Sequence, residues 1–190
     1  MISSYMSEIM ICVIMAGGKG SRLGCIEKPM LKICNELIIK RVIDTALELT
    51  NEVYVATSPH TPKTRRWCLE NGVSVIETHG NEYANDVQYV LKIFNSRPIL
   101  ILPADTPFIS SNVLVDFIEK ANGIKADVIT LIADRSCFPK ELRRFEMEPI
   151  GISLFKGLGF KWANVIMCRF PELLDIDTLI ELKYAEMMCK

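Results

Sequence analysis

The stretch Ile11–Gly24, ICVIMAGGKGSRLG, constrains the chain most. Uncharged residues run from Ile9 to Ala16 and give way at once to glycines, a lysine and an arginine. An uncharged apolar run of that length predicts a strand in the interior of a sheet. Gly17, Gly18, Gly20 and Gly24 supply backbone that can bend sharply and admit a ligand closely. Lys19 and Arg22 add positive charge, and Lys28-Pro29 follows within a few residues. Ala16, Gly17, Gly18, Lys19 and Gly20, with Arg22 and Lys28, are therefore a candidate polyphosphate cradle. The order is not the GxxxxGK[ST] of a Walker loop. Nor is it GxGxxG, since Leu23 stands where the last glycine belongs. A tight turn carrying solvated basic residues is the alternative reading of the same composition.

The 190 residues suit one domain, 1–190, with a sizeable core. A formal charge of -1 gives no global reason to expect nucleic acid as a partner. Residues 1–10 carry Glu8 and lack the apolar stretch and cleavage site of a signal peptide. No apolar run is long enough to span a membrane, so a cytoplasmic protein is expected. A homodimer is the base-rate assembly. Seven cysteines, at positions 12, 25, 34, 68, 137, 168 and 189, contain no CxxC pair. With only His60 and His79 beside them, they offer no zinc pattern. Disulfides are not expected in a cytoplasmic chain.

Strands are predicted at Ile9–Ala16, Glu52–Ala56, Val73–Ile76, Pro98–Leu102 and Asp127–Ala133. A short one falls within Met30–Ile33, before a turn at Asn35-Glu36. Helices alternate with them at Leu37–Leu49, Lys63–Asn71, Tyr83–Phe94 and Ser110–Asn122. Thr61 is the candidate cap of the second helix, with Pro62 at its first position. The alternation predicts an α/β fold with helices on both faces of a mostly parallel sheet. Ligands then gather at the carboxyl ends of the strands. Residues 134–177 read as an excursion over that cleft. Within it, Pro149–Phe155 and Phe160–Met167 are candidate strands of a hairpin turning through Lys156–Gly159. Thr178–Lys190 reads as a terminal helix capped by Asp177 or Thr178.

Asp105 follows the uncharged strand Ile99–Leu102 directly, which sets a carboxylate at the active edge of a parallel sheet. A carboxylate there can hold magnesium, a hard cation that neutralises phosphate oxygens during displacement at phosphorus. A turn or helix-cap aspartate is the alternative. Thr57 and Ser58 lie on a loop at the same edge, as nucleoside contacts or as part of a prolyl turn. Asn85 and Asp86 open a helix and could face base or ribose, or cap it. Glu148–Ile152 is a candidate acceptor wall, where Gly151 would let a ligand approach. Asp175 and Asp177 could complete a metal site, although local capping explains them more economically.

MAGGKGSRLG followed by EKPMLKI resembles the signature of the molybdopterin-guanylyltransferase-like nucleotidyltransferase family. VATSPHTPK at Val55–Lys63, the Pro149–Ile152 region and DIDTLIELKYAE at Asp175–Glu186 are similar to its archaeal adenosylcobinamide-phosphate guanylyltransferases. The resemblance implies a Rossmann-like three-layer α/β/α fold. It implies GTP as donor and adenosylcobinamide phosphate as acceptor, joined with loss of pyrophosphate in cobalamin assembly. It also implies that Gly17, Gly18 and Gly20 lie against the phosphates, that Arg22 and Lys28 contact them, and that Asp105 binds Mg2+. Thr57 and Ser58 would be nucleoside-side contacts. Molybdopterin, a sugar 1-phosphate or another small phosphate is the rival acceptor. A nucleotide-binding protein without transfer activity is the rival class.

Overall fold

The structure, a computed structural model, describes residues 10–94, 98–157 and 159–189. The expected leader 1–8, Ile9, Leu158 of the expected hairpin turn and Lys190 lie outside them. The strands are β1 (Ile11–Met15), β2 (Lys32–Ile33), β3 (Glu36–Leu37), β4 (Val53–Thr57) and β5 (Ser74–Glu77). They continue with β6 (Ile99–Pro103), β7 (Val128–Asp134), β8 (Met147–Phe155) and β9 (Trp162–Met167). The helices are α1 (Ile38–Leu47), α2 (Pro62–Glu70), α3 (Tyr83–Ile93), α4 (Ser111–Asn122) and α5 (Leu179–Met187).

Seven strands form one sheet in the order β5-β4-β1-β6-β8-β7-β9, and β2-β3 is a separate hairpin. β1 pairs in parallel with β4 and β6, and β4 in parallel with β5. β8 runs antiparallel between β6 and β7, and β9 runs parallel to β7. The sheet is therefore mixed, with its parallel half at β5-β4-β1-β6. The expected hairpin of the last two strands does not form, because β7 inserts between them. Each partner that β7 offers is apolar and nearby in sequence, and alternation alone cannot rank such pairings.

The periodicity of α1 explains its docking. Ile38, Ile39, Val42, Ile43 and Ala46 share one stripe and are all buried. They join a core on one face of the sheet, to which α2, α4 and α5 contribute Cys68, Phe117 and Ala185. On the opposite face α3 brings Val90 against Ile11, Val13, Ile99 and Ile101. This is the three-layer arrangement. It leaves the carboxyl ends of β1, β4 and β6 at one edge.

Two disulfides correct the expectation of free thiols. Cys34 is bonded to Cys189, and Cys137 to Cys168. The partners are 155 and 31 residues apart in sequence, so spacing gave no sign of them. The fold brings the β2-β3 turn against the segment after α5, and the segment after β7 against the end of β9.

Candidate active site

The strand β1 is buried because every residue from Ile11 to Ile14 is apolar and faces a filled layer on either side. It ends where the chain meets Gly17. From there the loop turns on itself, with the amides of Leu23 and Cys25 both donating to the Gly20 carbonyl at 3.0 Å. Gly20 adopts φ 60°, which a side chain would disfavour. The loop borders a cavity of about 360 Å3, within the range of small-molecule sites. Ala16, Gly17, Gly18, Lys19 and Gly20 form one wall, with Lys28 and Pro29. Gly80, Asn81, Glu82, Tyr83 and Asp86 form the other, and Met15, Pro103, Ala104 and Asp105 lie between them.

The chemistry centres on Lys28. Its ammonium lies 2.9 Å from Asp105 Oδ2 and 2.5 Å from Asp177 Oδ1. Burial alone would lower the lysine pKa, but the two carboxylates outweigh it and hold the ammonium above its ordinary value. Burial pushes the Asp105 carboxyl up, against the opposing pull of Lys28, with Asp175 and Asp177 adding to the rise. Burial also acts to raise Asp177, yet Lys28, Arg22 and Arg144 together bring it below the usual carboxylate value. Arg22, 65% exposed, stands outside the cavity lining and pairs with Asp177.

Of the two candidate caps of the last helix, Asp177 or Thr178, the structure uses Thr178. Thr178 is the N-cap of α5, and Glu181 accepts the amides of Asp177 and Thr178 at 2.8 and 2.5 Å. That frees the Asp177 side chain to face Lys28. Its strap is tied to the strand end by the Ile176 amide, which donates to the Asp105 carbonyl at 2.9 Å. Asp175 instead meets the buried Arg135 at 2.6 Å, whose guanidinium also lies 3.0 Å from Glu148.

The other expected residues divide in two. Asp86 is buried, and its carboxylate accepts the Gly80 amide at 3.1 and 3.2 Å, which fixes the cavity wall. Asn85 turns outward to Glu82 at 3.2 Å. Ser58 lies behind the loop and donates to the Gly17 carbonyl at 2.7 Å. Thr57 is fully buried, and its hydroxyl has no hydrogen-bond partner among the described residues. Gly151 lies outside the lining, but its carbonyl receives the Tyr83 hydroxyl at 3.3 Å. Tyr83 and the Gly80–Glu82 turn escaped the sequence reading, because no local motif sets them apart from an ordinary helix start. Asp177 had a local signal, the capping box that follows it, which argued for the wrong role.

Residues 12–150 match the family described as MobA-like NTP transferase domain. The chain belongs to that family. This NTP transferase is 30% identical over 193 residues to the adenosylcobinamide-phosphate guanylyltransferase of Methanocaldococcus jannaschii. That alignment covers 95% of this chain and 98% of the relative. It is 23% identical over 140 residues to a probable molybdenum cofactor guanylyltransferase of Methanosarcina acetivorans, covering 67% and 60% of the two chains. Its fold is similar to CMP:2-keto-3-deoxy-manno-octonic acid synthetase complexed with CTP, with a TM-score of 0.70 at 16% identity. That superposition covers 95% of this chain and 98% of the other. The chain is thus an α/β nucleotidyltransferase of Rossmann-like architecture. Among the described residues no helix is long and apolar enough to cross a membrane.

Asp105 and Asp177 are hard oxygen donors of the kind that take magnesium. Among the described residues no group of three or more His, Cys, Asp or Glu side chains is arranged to hold an ion. Asp105 and Asp177, however, converge on one ammonium beside the cavity. One or two carboxylates completed by substrate phosphates is the donor set magnesium prefers.

Proposed function

We propose that this transferase moves GMP from GTP to adenosylcobinamide phosphate and releases pyrophosphate. The observation that carries the reading is Lys28, held between Asp105 and Asp177 at the mouth of the glycine loop. The near full-length likeness to the adenosylcobinamide-phosphate enzyme supports the choice of acceptor. The likeness to a molybdenum cofactor guanylyltransferase keeps a molybdopterin-type acceptor as the second reading. Residues 1–190 act as one nucleotidyltransferase domain in this proposal, with 134–177 on the acceptor side.

The amides of Gly17, Gly18 and Gly20, with Ala16 at the strand end, cradle the triphosphate. Lys19, Arg22 and Lys28 compensate its charge, and that compensation grows in value as pyrophosphate departs. Ser58 holds the loop from behind through Gly17. On the nucleoside side Asp86 fixes the cavity wall through the Gly80 amide, and Gly151 belongs to the acceptor side, whereas buried Thr57 and outward-turned Asn85 take no part in contacting the ligand. The acceptor phosphate is already anionic, so it needs orientation rather than a general base. Asp105, with Asp177 beside it, would hold Mg2+, which would supply Lewis-acid charge neutralisation when bound.

Pyrophosphate release from GTP is the test. It should require both Mg2+ and adenosylcobinamide phosphate, and absence of stimulation by that acceptor sinks the reading. Asp105→Asn should cut turnover by roughly 100-fold or more, the scale of losing one preorganised charge contact. Its melting temperature should hold, because Lys28 keeps its ion pair with Asp177. Wild-type turnover in Asp105→Asn removes Asp105 from the mechanism. GTP, ATP and CTP assayed against cobinamide and molybdopterin acceptors separate the two readings.

A further inference from the structure

Arg135 is among the largest fully buried side chains of the protein, yet it carries a charge. It opens the turn Arg135–Cys137 directly after β7. Its guanidinium lies 4.5 Å over the Phe138 ring. Nη2 donates to Asp175 Oδ1 at 2.6 Å and forms an ion pair with Glu148 Oε2 at 3.0 Å. Nε has no hydrogen-bond partner among the described residues. A buried ion pair is a costly way to fill an interior, because apolar side chains of similar volume often do so without loss of stability. Filling space therefore does not explain Arg135, whereas the residue it holds does.

Asp175 begins the strap that carries Asp177 to Lys28. The strap is fixed at three successive residues. Arg135 takes the Asp175 carboxylate, the Asp105 carbonyl accepts the Ile176 amide at 2.9 Å, and Glu181 accepts the Asp177 amide at 2.8 Å. Leu173, Leu174 and Ile176 are fully buried beside these contacts. Apolar burial holds the strap down without directing it, since it is non-directional. The arginine contact is directional, and it acts two residues from Asp177. The arginine is itself well anchored. Its amide donates to the Glu146 carbonyl at 2.8 Å, Phe138 meets Phe170 edge-on at 5.0 Å, and Cys137 is bonded to Cys168. Arg135 lies outside the cavity lining.

We propose that Arg135 is a positioning residue of the transfer site, acting through Asp175 to set where the Asp177 carboxylate stands beside Lys28. The inference rests on the transfer reading above, in its assignment of Mg2+ to Asp105 and Asp177. Arg135 does not reach the cavity, so its effect passes through the strap. A shift of about 1 Å in a charged group at a site is enough to be felt there. Removing the partners that orient metal-holding side chains costs on the order of 10–100-fold in metal affinity. One nitrogen, Nη2, makes both contacts of Arg135, so an ammonium at the same place can stand in for it.

The test uses the full chain and α,β-methylene-GTP, an analogue that cannot release pyrophosphate, with binding read by titration calorimetry. With Mg2+ present, Arg135→Met should weaken binding roughly tenfold. In EDTA the same variant should stay within about twofold of the wild type, and Arg135→Lys should recover most of the loss in Mg2+. The deciding measurement is a cycle with Asp177→Asn. Once Asp177 is replaced, Arg135→Met should cost less than about twofold further, because the group it acts through is gone. Should Arg135→Met fail to fold, Asp175→Asn takes its place in the same cycle, since it keeps the volume and a hydrogen bond to the arginine. Additive losses in the cycle, equal losses with and without Mg2+, or an unchanged affinity overturn the proposal and leave Arg135 a structural ion pair. A wild-type chain that does not bind the analogue also overturns it. Binding and coupling as expected, with no pyrophosphate released from GTP on adding adenosylcobinamide phosphate, supports the role of Arg135 and defeats the choice of acceptor alone.

Discussion

Gly20 lies where a Cβ would meet the Ile26 carbonyl oxygen at 2.0 Å, in a left-handed conformation. Gly24 is also left-handed, at φ 74°, yet a Cβ there meets nothing within 4 Å. The two glycines separate backbone strain from steric exclusion. Gly24→Ala should cost about 1–2 kcal/mol, the left-handed penalty alone. Gly20→Ala should cost more and weaken GTP binding at least tenfold, because the loop must reopen to seat the methyl group. Urea unfolding and GTP titration of both variants check this, and equal effects would refute the distinction. Tyr83 offers a second test at this scale. Tyr83 is 54% exposed as a residue, but desolvation at its hydroxyl end, reinforced by Asp105, pushes its phenol from 10.0 to about 12. A phenol raised on folding contributes stability that is fully present below its unfolded value and lost as pH rises from 10 toward 12. Phenolate absorbance in an alkaline titration should therefore include one late tyrosine, and Tyr83→Phe should remove it.

Among the elements, α2 starts where the sequence places it, with Thr61 at the N-cap and Pro62 in the first turn, but its capping groups come from elsewhere. Thr61 occupies the N-cap position, but its hydroxyl serves the Ser58 amide at 3.1 Å instead. The first-turn amides of Lys63 and Thr64 are taken by Glu27 at 3.1 and 2.7 Å, from 36 and 37 residues away. A carboxylate at a helix N-terminus also meets the positive end of its dipole. The consequence is functional, because Glu27 immediately precedes Lys28. Glu27→Ala should cost about 1–2 kcal/mol in unfolding free energy, the usual worth of a cap. It should also raise the KM for GTP, since the Lys28 backbone loses its anchor on α2. A stability loss with the KM unmoved would make Glu27 a cap and nothing more. Local periodicity found α1 to within a residue or two, because its stripe is unbroken. It could not find Glu27, because a cap supplied from another segment leaves no local pattern.

At the scale of the whole molecule, the parallel half of the sheet was legible because β1, β4 and β6 are uncharged runs that end at glycine, hydroxyl or aspartate residues. The second half was not, since β7, β8 and β9 have comparable apolar content and their order depends on tertiary packing. The charge network around Lys28 was legible at Lys28 and Asp105. At Asp177, named as one of two candidates for a metal site, the pairing with Lys28 was hidden, because the two lie 149 residues apart. Cysteine pairing is the clearest case of information that only closure of the chain supplies. Cys25 is exposed, whereas Cys12 and Cys68 are buried. Burial raises the Cys12 thiol and pushes Cys68 up to about 11, so both are almost wholly protonated near neutrality. A thiol reagent under native, non-reducing conditions should therefore label Cys25 fast and the other two only on unfolding. Four further thiols should appear after reduction, from Cys34, Cys189, Cys137 and Cys168. Reduction should also lower stability, by about 5 kcal/mol for a closed loop as long as that between Cys34 and Cys189. Seven thiols titrating in denaturant without reductant would return the chain to the fully reduced state that its sequence suggests, and the C-terminal segment would then be held by packing alone.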